Sequence, residues 1–263
     1  MTGFFGTNHQ QDLQRRTHEM RDWIAATPGL YNAGRFVGVD DPDSLEPGML
    51  AHMLVRDGIL GLRMISPQQA ARHFPPLEAA GCRIDCWDIF VGDAGNAGGR
   101  ARAITARRLP EGLELLPPLD EPESPATLRV QEFLAANGLA PFPGTMLVDE
   151  ASRAKTIVLA GAEGIAATGH AYFPHNAHSP FRDHAWLGLV AVDDAWRGKG
   201  LGTQVNALLV RAAFEELGAR HVYEMVAPSN IASRRMVEAC GLRLDADLRC
   251  GVAVPADAAR FTR

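Results

Sequence analysis

The chain has 263 residues, is 46% hydrophobic and 22% charged, and carries a formal charge of −5. These values suit a globular protein of one large domain or two ordinary ones. Residues 1–125 hold 12 Lys+Arg against 17 Asp+Glu and the remainder 14 against 14. No basic tract is present to neutralise a phosphate backbone, and no stretch reaches the ~18 apolar residues of a membrane span, so neither nucleic acid nor membrane is an expected partner. The N-terminus lacks an apolar segment of signal length, and the expected location is cytoplasmic.

Residues 9–27 read as an exposed helix ended by Pro28-Gly29. Helices are also predicted over 47–57 and 67–80, the latter stopped by Gly81. CRIDCWDIFV (82–91) is rich in strand formers. GDAGNAGGR (92–100) reads as a flexible turn, with ARAIT as a returning strand. Segment 108–125 combines five prolines and five acids around the short strand LELL, and marks a candidate boundary between regions 1–110 and 111–263. Beyond it come a helix (126–137), an antiparallel pair (156–160 and 165–173), a strand (184–192), a helix (201–217), a strand (221–226), a helix (230–240) and an extended segment (242–254). This order predicts an α/β (α+β) layered fold.

EAAGCRID (78–85) echoes EACGLRLD (238–245), each a helix end, a glycine stop and a strand. A duplication and a shared local geometry both account for it. Cys82, Cys86, Cys240 and Cys250 match no zinc spacing and read as structural thiols. His170, His175, His178 and His184 fall close together but also match no zinc pattern, so no metal site is expected. The loop that holds them reads as a substrate wall or as plain surface.

The densest chemical signal is VDDAWRGKGLGTQ, 192–204. Three glycines stand where an apolar strand ends and a helix begins, and a helix start with bare backbone suits an anion. A P-loop requires Lys-Ser/Thr, but Lys199 precedes Gly200. A dinucleotide fingerprint requires a third glycine where Thr203 stands, and the preceding strands are antiparallel. A turn without a ligand also remains open on this pattern alone.

Arg197-Gly198-Lys199-Gly200-Leu201-Gly202 matches R-x-x-G-x-G after a strand ending VAV, and PSNIASRRMVEACGL (228–242) follows. Together they resemble the two coenzyme A motifs of the GNAT acetyltransferase superfamily, over roughly residues 112–254. The resemblance implies a mixed, mostly antiparallel sheet flanked by helices, with an additional N-terminal α/β region. It implies acetyl-CoA as co-substrate, its diphosphate on the amides of Arg197, Gly198, Lys199, Gly200, Leu201, Gly202 and Thr203, and its pantetheine along Val190, Ala191 and Val192. Asn230 resembles the family's pantetheine contact, or serves as an N-cap; Ser233 is a further contact candidate.

The position where many relatives carry a tyrosine acid is Val237. Strand alternation places Val190, Gly188, Trp186 and His184 on one face with Val192, so the titratable candidates for the base are His184 and, on the neighbouring strand, Glu224. Tyr223 is expected to point away from Glu224. The expected activity is direct acetyl transfer to a primary amine of a small molecule or peptide. The alternatives are an acyl-CoA sensor without turnover and a different nucleotide-binding enzyme. The N-terminal region is expected to build part of the acceptor pocket or a homodimer contact. The extended segment 242–254 is short for this fold, so a strand donated by a partner or by residues 82–106 is expected.

Overall fold

The computed structural model describes residues 2–148 and 153–258. In chain order its helices are α1 (Asn8–Glu19), α2 (Arg21–Ala26), α3 (Met49–Asp57), α4 (Pro67–Ala79), α5 (Asn96–Thr105), α6 (Pro125–Ala136), α7 (Gly144–Leu147), α8 (Leu201–Glu215) and α9 (Ile231–Ala239). Its strands are β1 (Leu30–Asn32), β2 (Val37–Val39), β3 (Leu60–Ile65), β4 (Cys82–Asp93), β5 (Glu114–Leu115), β6 (Ala154–Gly161), β7 (Gly164–Tyr172), β8 (His184–Val192), β9 (His221–Val226), β10 (Arg243–Leu244) and β11 (Arg249–Pro255).

All strands join one sheet in the order β1-β2-β3-β11-β4-β9-β8-β7-β6-β5, with β10 also on β4. Pairing is antiparallel except at β2/β3 and β8/β9. Each parallel pair is bridged by one helix, α3 or α8, as a parallel crossover requires. The core of the order is therefore a palindrome: β1-β2-β3 and β7-β8-β9 run inward to the central antiparallel pair β11/β4. The two halves share the succession strand, strand, helix, strand, helix, strand, and the echo at 78–85 and 238–245 lies where the second helix ends, leading into β4 in one half and β10 in the other. β4 ends the first succession but is inserted between β9 and β10 of the second, pairing Asp88↔Val226 on one side and Phe90↔Leu244 on the other. β11 ends the second and is inserted between β3 and β4 of the first. The strand expected from residues 82–106 thus comes from the chain itself.

One hydrophobic layer lies under α5, α8 and α9, with Val205, Leu209 and Val237 in it. Another lies on the opposite face, filled from α6 and α7 by Val130, Leu134 and Leu147 and from the sheet by Trp186, Leu189 and Tyr223. A third cluster packs β1–β3 against α2, α3 and α4, and a fourth gathers Leu13 of α1 with Tyr31, Phe36 and Val254.

Three readings are corrected. The predicted helix 9–27 breaks at Met20, which separates α1 from α2. The glycine-rich segment read as a turn and strand is the helix α5, started by Asp93, whose side chain accepts from Asn96 N–H at 2.9 Å. Its small residues answer to packing: a Cβ on Gly92 would stand 2.8 Å from the Ala97 methyl, and one on Gly241 would stand 3.0 Å from Ala97 Cα. Finally, Cys86 is exposed rather than buried, and all four cysteines are free thiols.

Candidate active site

β8 and β9 pair only through His184↔His221, Ala185↔Val222 and Trp186↔Tyr223. Beyond these residues the two strands part, and the backbone facing the gap has no strand partner there. β8 also bulges. Its register against β7 passes from Thr168↔Ala191 to His170↔Gly188, so two β8 residues oppose one, and Leu189 takes φ +52. Left-handed backbone is uncommon for a leucine and strained. The bulge reverses the alternation assumed from sequence. Val190 and Val192 pack with the α8 layer, whereas Trp186 and Leu189 lie in the opposite layer. Trp186 therefore does not share a face with Val192.

A cavity of about 220 Å³ opens in this gap. Val190, Asn230, Ser233 and Glu224 line it, together with Met236 of α9. Asn230 also caps α9, its Oδ1 accepting from Ser233 N–H at 3.0 Å. The two roles weighed for Asn230 occupy one position. Ala191, Val192 and the turn at 197–203 do not line the cavity itself. The turn adjoins it, because a Cβ on Gly202 would stand 3.5 Å from Met236 Sδ and 3.5 Å from Val192 Cγ2.

At the turn, Gly198 (φ +74) and Gly200 (φ +80) need glycine for conformation alone, since a Cβ at either would meet nothing within 4 Å. Gly200 precedes α8, and no side chain caps it. The first N–H groups of α8 thus face open space with the positive end of the helix behind them. Among the residues forming the turn, Arg197 is tied down: it pairs with Asp194 at 2.6 Å and donates to the Val192 carbonyl and Asn137 Oδ1. The Lys199 ammonium lies 4.9 Å from the Trp196 ring centre. Leu201 is buried.

The first half contains the same turn. After β2, Asp41 caps a single 3-10 turn (Pro42–Ser44), and the left-handed Gly48 opens α3. After β8, Asp193 caps a single 3-10 turn (Asp194–Trp196), and the left-handed Gly200 opens α8. Asp and Gly are seven residues apart in both. The chemistry differs, for Glu46 and Pro47 stand where the second copy has Gly198 and Lys199. A carboxylate repels an anion and proline has no N–H to offer it. Neither obstacle is present in the second turn.

Glu224 is 4% exposed. Its Oε1 accepts from Asn206 Nδ2 of α8 at 2.7 Å, and burial pushes its pKa up to about 8. Tyr223 points to the other face, as alternation requires. His184 lies away from the cavity at the paired end of the strands, stacked on His221 with ring centres 4.6 Å apart. Burial, with the neighbouring His221, lowers its pKa to about 4. Val237 is fully buried in the helix layer.

The remaining histidines of the 170–184 stretch serve separate partners. His170 Nδ1 bonds Thr156 Oγ1 at 2.9 Å, and burial alone pulls its pKa down to about 3. His178 N–H donates to Asn176 Oδ1. His175 joins a buried chain. Asp40 Oδ2 accepts from Ser179 Oγ and from His175 Nδ1, each at 2.6 Å. Burial keeps His175 neutral, so its Nε2 accepts from Tyr223 O–H at 3.0 Å. Tyr223 Oη in turn accepts from Arg63 Nη1 at 3.2 Å.

The opposite wall of the cavity comes from the first half of the chain, through Tyr31, Arg35, Arg63, Asp85 and Trp87. None of these was a candidate from sequence. The available signal was Arg63 inside the apolar run ILGLRMI, where a charge has to be functional or paired.

Residues 121–242 match the model of the Acetyltransferase (GNAT) family. The C-terminal part of this chain is a GNAT domain. A GCN5-related N-acetyltransferase from Kribbella flavida is similar in fold, with TM-score 0.59 and 12% identity over 84% of this chain and 81% of that one. A Drosophila protein gives 0.58 and 13% over 95% and 90%. A tandem GNAT protein from the clavulanic acid biosynthesis pathway gives 0.50 and 18% over 85% and 76%. No curated protein matches the chain. The GNAT family carries out acyl-CoA-dependent acetyl transfer in general, with acetyl-CoA as its usual donor. Among the described residues no helix is long and apolar enough to cross a membrane.

Proposed function

We propose that the protein is an N-acetyltransferase that moves the acetyl group of acetyl-CoA directly to a primary amine. The observation that carries this reading is the opening between β8 and β9, placed beside an uncapped, glycine-led helix start. The N–H groups at the start of α8 hold the diphosphate, each charge-assisted bond contributing on the order of 1.5–3 kcal/mol. The freed backbone of β8 from Gly188 to Val192 pairs with the pantetheine amides as an added strand would. A backbone N–H of this bulged segment stabilises the thioester oxygen as charge gathers there.

Glu224 accepts one proton from the substrate ammonium. The amine nitrogen then forms a bond to the thioester carbon, and the C–S bond breaks. The second proton lost by the nitrogen goes to the departing thiolate. That route needs no side-chain acid, which suits Val237. Glu224, with a pKa of about 8, exchanges its proton near neutral pH as a general base should. It is a stronger base candidate than His184, which lies outside the cavity. The cytoplasm remains the proposed location, and a small molecule or a peptide end the proposed source of the amine.

The test is thiol release from acetyl-CoA in the presence of a panel of amines, together with calorimetric titration of CoA, NAD and ATP. Acetylated product and selective CoA binding support the proposal. Selective binding of CoA with no thiol release on any amine would favour the second reading, a sensor without turnover, which the buried Val237 motivates. Preference for NAD or ATP would overturn both.

A further inference from the structure

The wall contributed by the first half of the chain carries Arg63, a guanidinium with no ion-pair partner among the described residues. Arg63 is 4% exposed. Its guanidinium lies 4.7 Å from the Tyr31 ring centre and 5.7 Å from that of Trp186, and one nitrogen donates to Tyr223. Its Nε is buried with no acceptor, and so is Trp186 Nε1. Both residues line the cavity. A second guanidinium, Arg35, lines it as well and donates to the Ala140 carbonyl at 2.6 Å.

The carboxylates of this region are engaged elsewhere. Asp85 holds Arg83 through both oxygens at 3.0 Å. Asp40 bonds His175 and Ser179. Glu224 bonds Asn206, and with a pKa of about 8 it is largely uncharged at neutral pH. The nearby tyrosines are neutral, since burial raises Tyr31 and Tyr223 above the ordinary value. A buried charge without an opposite charge is costly, and so is a buried N–H without an acceptor. Two such donors, on residues that line one cavity, suit a site completed by an anion.

We propose that the acceptor is an amine of amino-acid size that carries a carboxylate, with the carboxylate on Arg63 and Trp186 Nε1 and the amine toward Glu224. This rests on the acetyltransferase reading and names its substrate class. Arg63 and Trp186 become specificity determinants: guanidinium and carboxylate match in shape and charge, and the indole N–H supplies a further donor.

The experiment compares matched acceptors at fixed acetyl-CoA: free amino acids, their carboxamides, the decarboxylated amines and aminoalkylphosphonates. The expected kcat/KM is at least 100-fold higher for the free acids than for the carboxamides. That ratio falls at least tenfold in Trp186→Phe, which removes only the donor, and collapses in Arg63→Gln; circular dichroism checks that each variant is folded. Equal rates on acids and carboxamides, or an unchanged ratio in both folded variants, would overturn the proposal. Preference for the phosphonates would replace carboxylate by phosphonate and overturn it equally. A second arm needs no turnover. Titration of N-acetyl amino acids and their methylamides into the protein should show tighter binding of the acids, lost in Arg63→Gln. If no amine is acetylated, the acetyltransferase reading fails while this arm still decides the carboxylate; equal binding of acid and methylamide there rejects it.

Discussion

Arg63 of β3 donates to Tyr223 of β9 across 3.2 Å, from the strand that closes one parallel pair to the strand that closes the other. Behind Tyr223 the chain runs through His175 to Asp40, the residue directly after β2. Charge and hydrogen bonding therefore bind the halves together beneath the cavity. Asp40→Asn removes the carboxylate oxygen that accepts from both His175 and Ser179 and so orders the chain. The expected loss is about 1–3 kcal/mol, in the range for leaving a buried hydrogen-bonding group without its partner. Urea denaturation followed by circular dichroism measures it. A midpoint unchanged from the parent protein would show that the chain of bonds is not structural.

Strand exchange makes a second prediction. Residues 111–263 alone lack β4, so β9 and β10 lose the strand between them and β11 loses both neighbours. Expressed by itself, this segment is expected to be insoluble or to show no cooperative melting transition. Co-expression with residues 1–110 should restore a soluble complex. A folded, CoA-binding 111–263 fragment would contradict it.

Glycine at 202 separates folding from binding. Gly202→Ala places its methyl in ordinary contact with Met236 and Val192, at 3.5 Å each, and favours the helix. Its melting temperature should be equal to or slightly above that of the parent. Its CoA affinity should fall at least tenfold, because the methyl crowds the N–H groups of the first turn. Gly200→Ala should also lose affinity, but with a stability cost of ~1–2 kcal/mol from forcing alanine into left-handed backbone. Calorimetric titration beside a thermal melt reads both; undiminished CoA affinity in Gly202→Ala rejects the turn as the diphosphate site.

Glu224 keeps its proton in the fold up to about pH 8, against 4.5 as its ordinary value. Between these values the folded state binds the extra proton, so stability falls as pH rises. His170, lowered to about 3, and His184, lowered to about 4, act in the opposite sense below pH 6.5, where only the unfolded chain is protonated. Between pH 6.5 and 8 the Glu224 effect stands apart from theirs. The melting temperature should decline across that window and level out in Glu224→Gln. Activity moves the other way. With an acceptor that arrives as its ammonium, of pKa well above 8, kcat/KM should climb as Glu224 loses its proton around pH 8, and that inflection should vanish in Glu224→Gln with a loss of ~10²–10⁴-fold.

What could be read in the chain depended on how local its cause was. The strands and helices from residue 154 onward carry their own periodicity and their own glycine stops, and they fell within a few residues of prediction. β1, β2 and β3 went unread: the first two are three residues long, and β3 is apolar throughout its length apart from Arg63 and Gly61. Such strands exist because neighbours supply their hydrogen bonds. α5 was hidden because Gly98 and Gly99 read as a turn, while the close approach of Gly92 and Gly241 to Ala97 is a tertiary contact that no local pattern reveals.

The glycine turn and the asparagine cap belong to the sequence itself, since each acts through residues within a few positions; Glu224 was a candidate there, but its burial and its bond to Asn206 are tertiary. The tertiary structure decided the rest. A bulge at Leu189 turned Trp186 away from Val192, and two exchanged strands set Arg63 across a cavity from Glu224. Neither is a local property. The bulge is defined against a partner strand, and the cavity exists only where chain segments more than a hundred residues apart meet in one sheet.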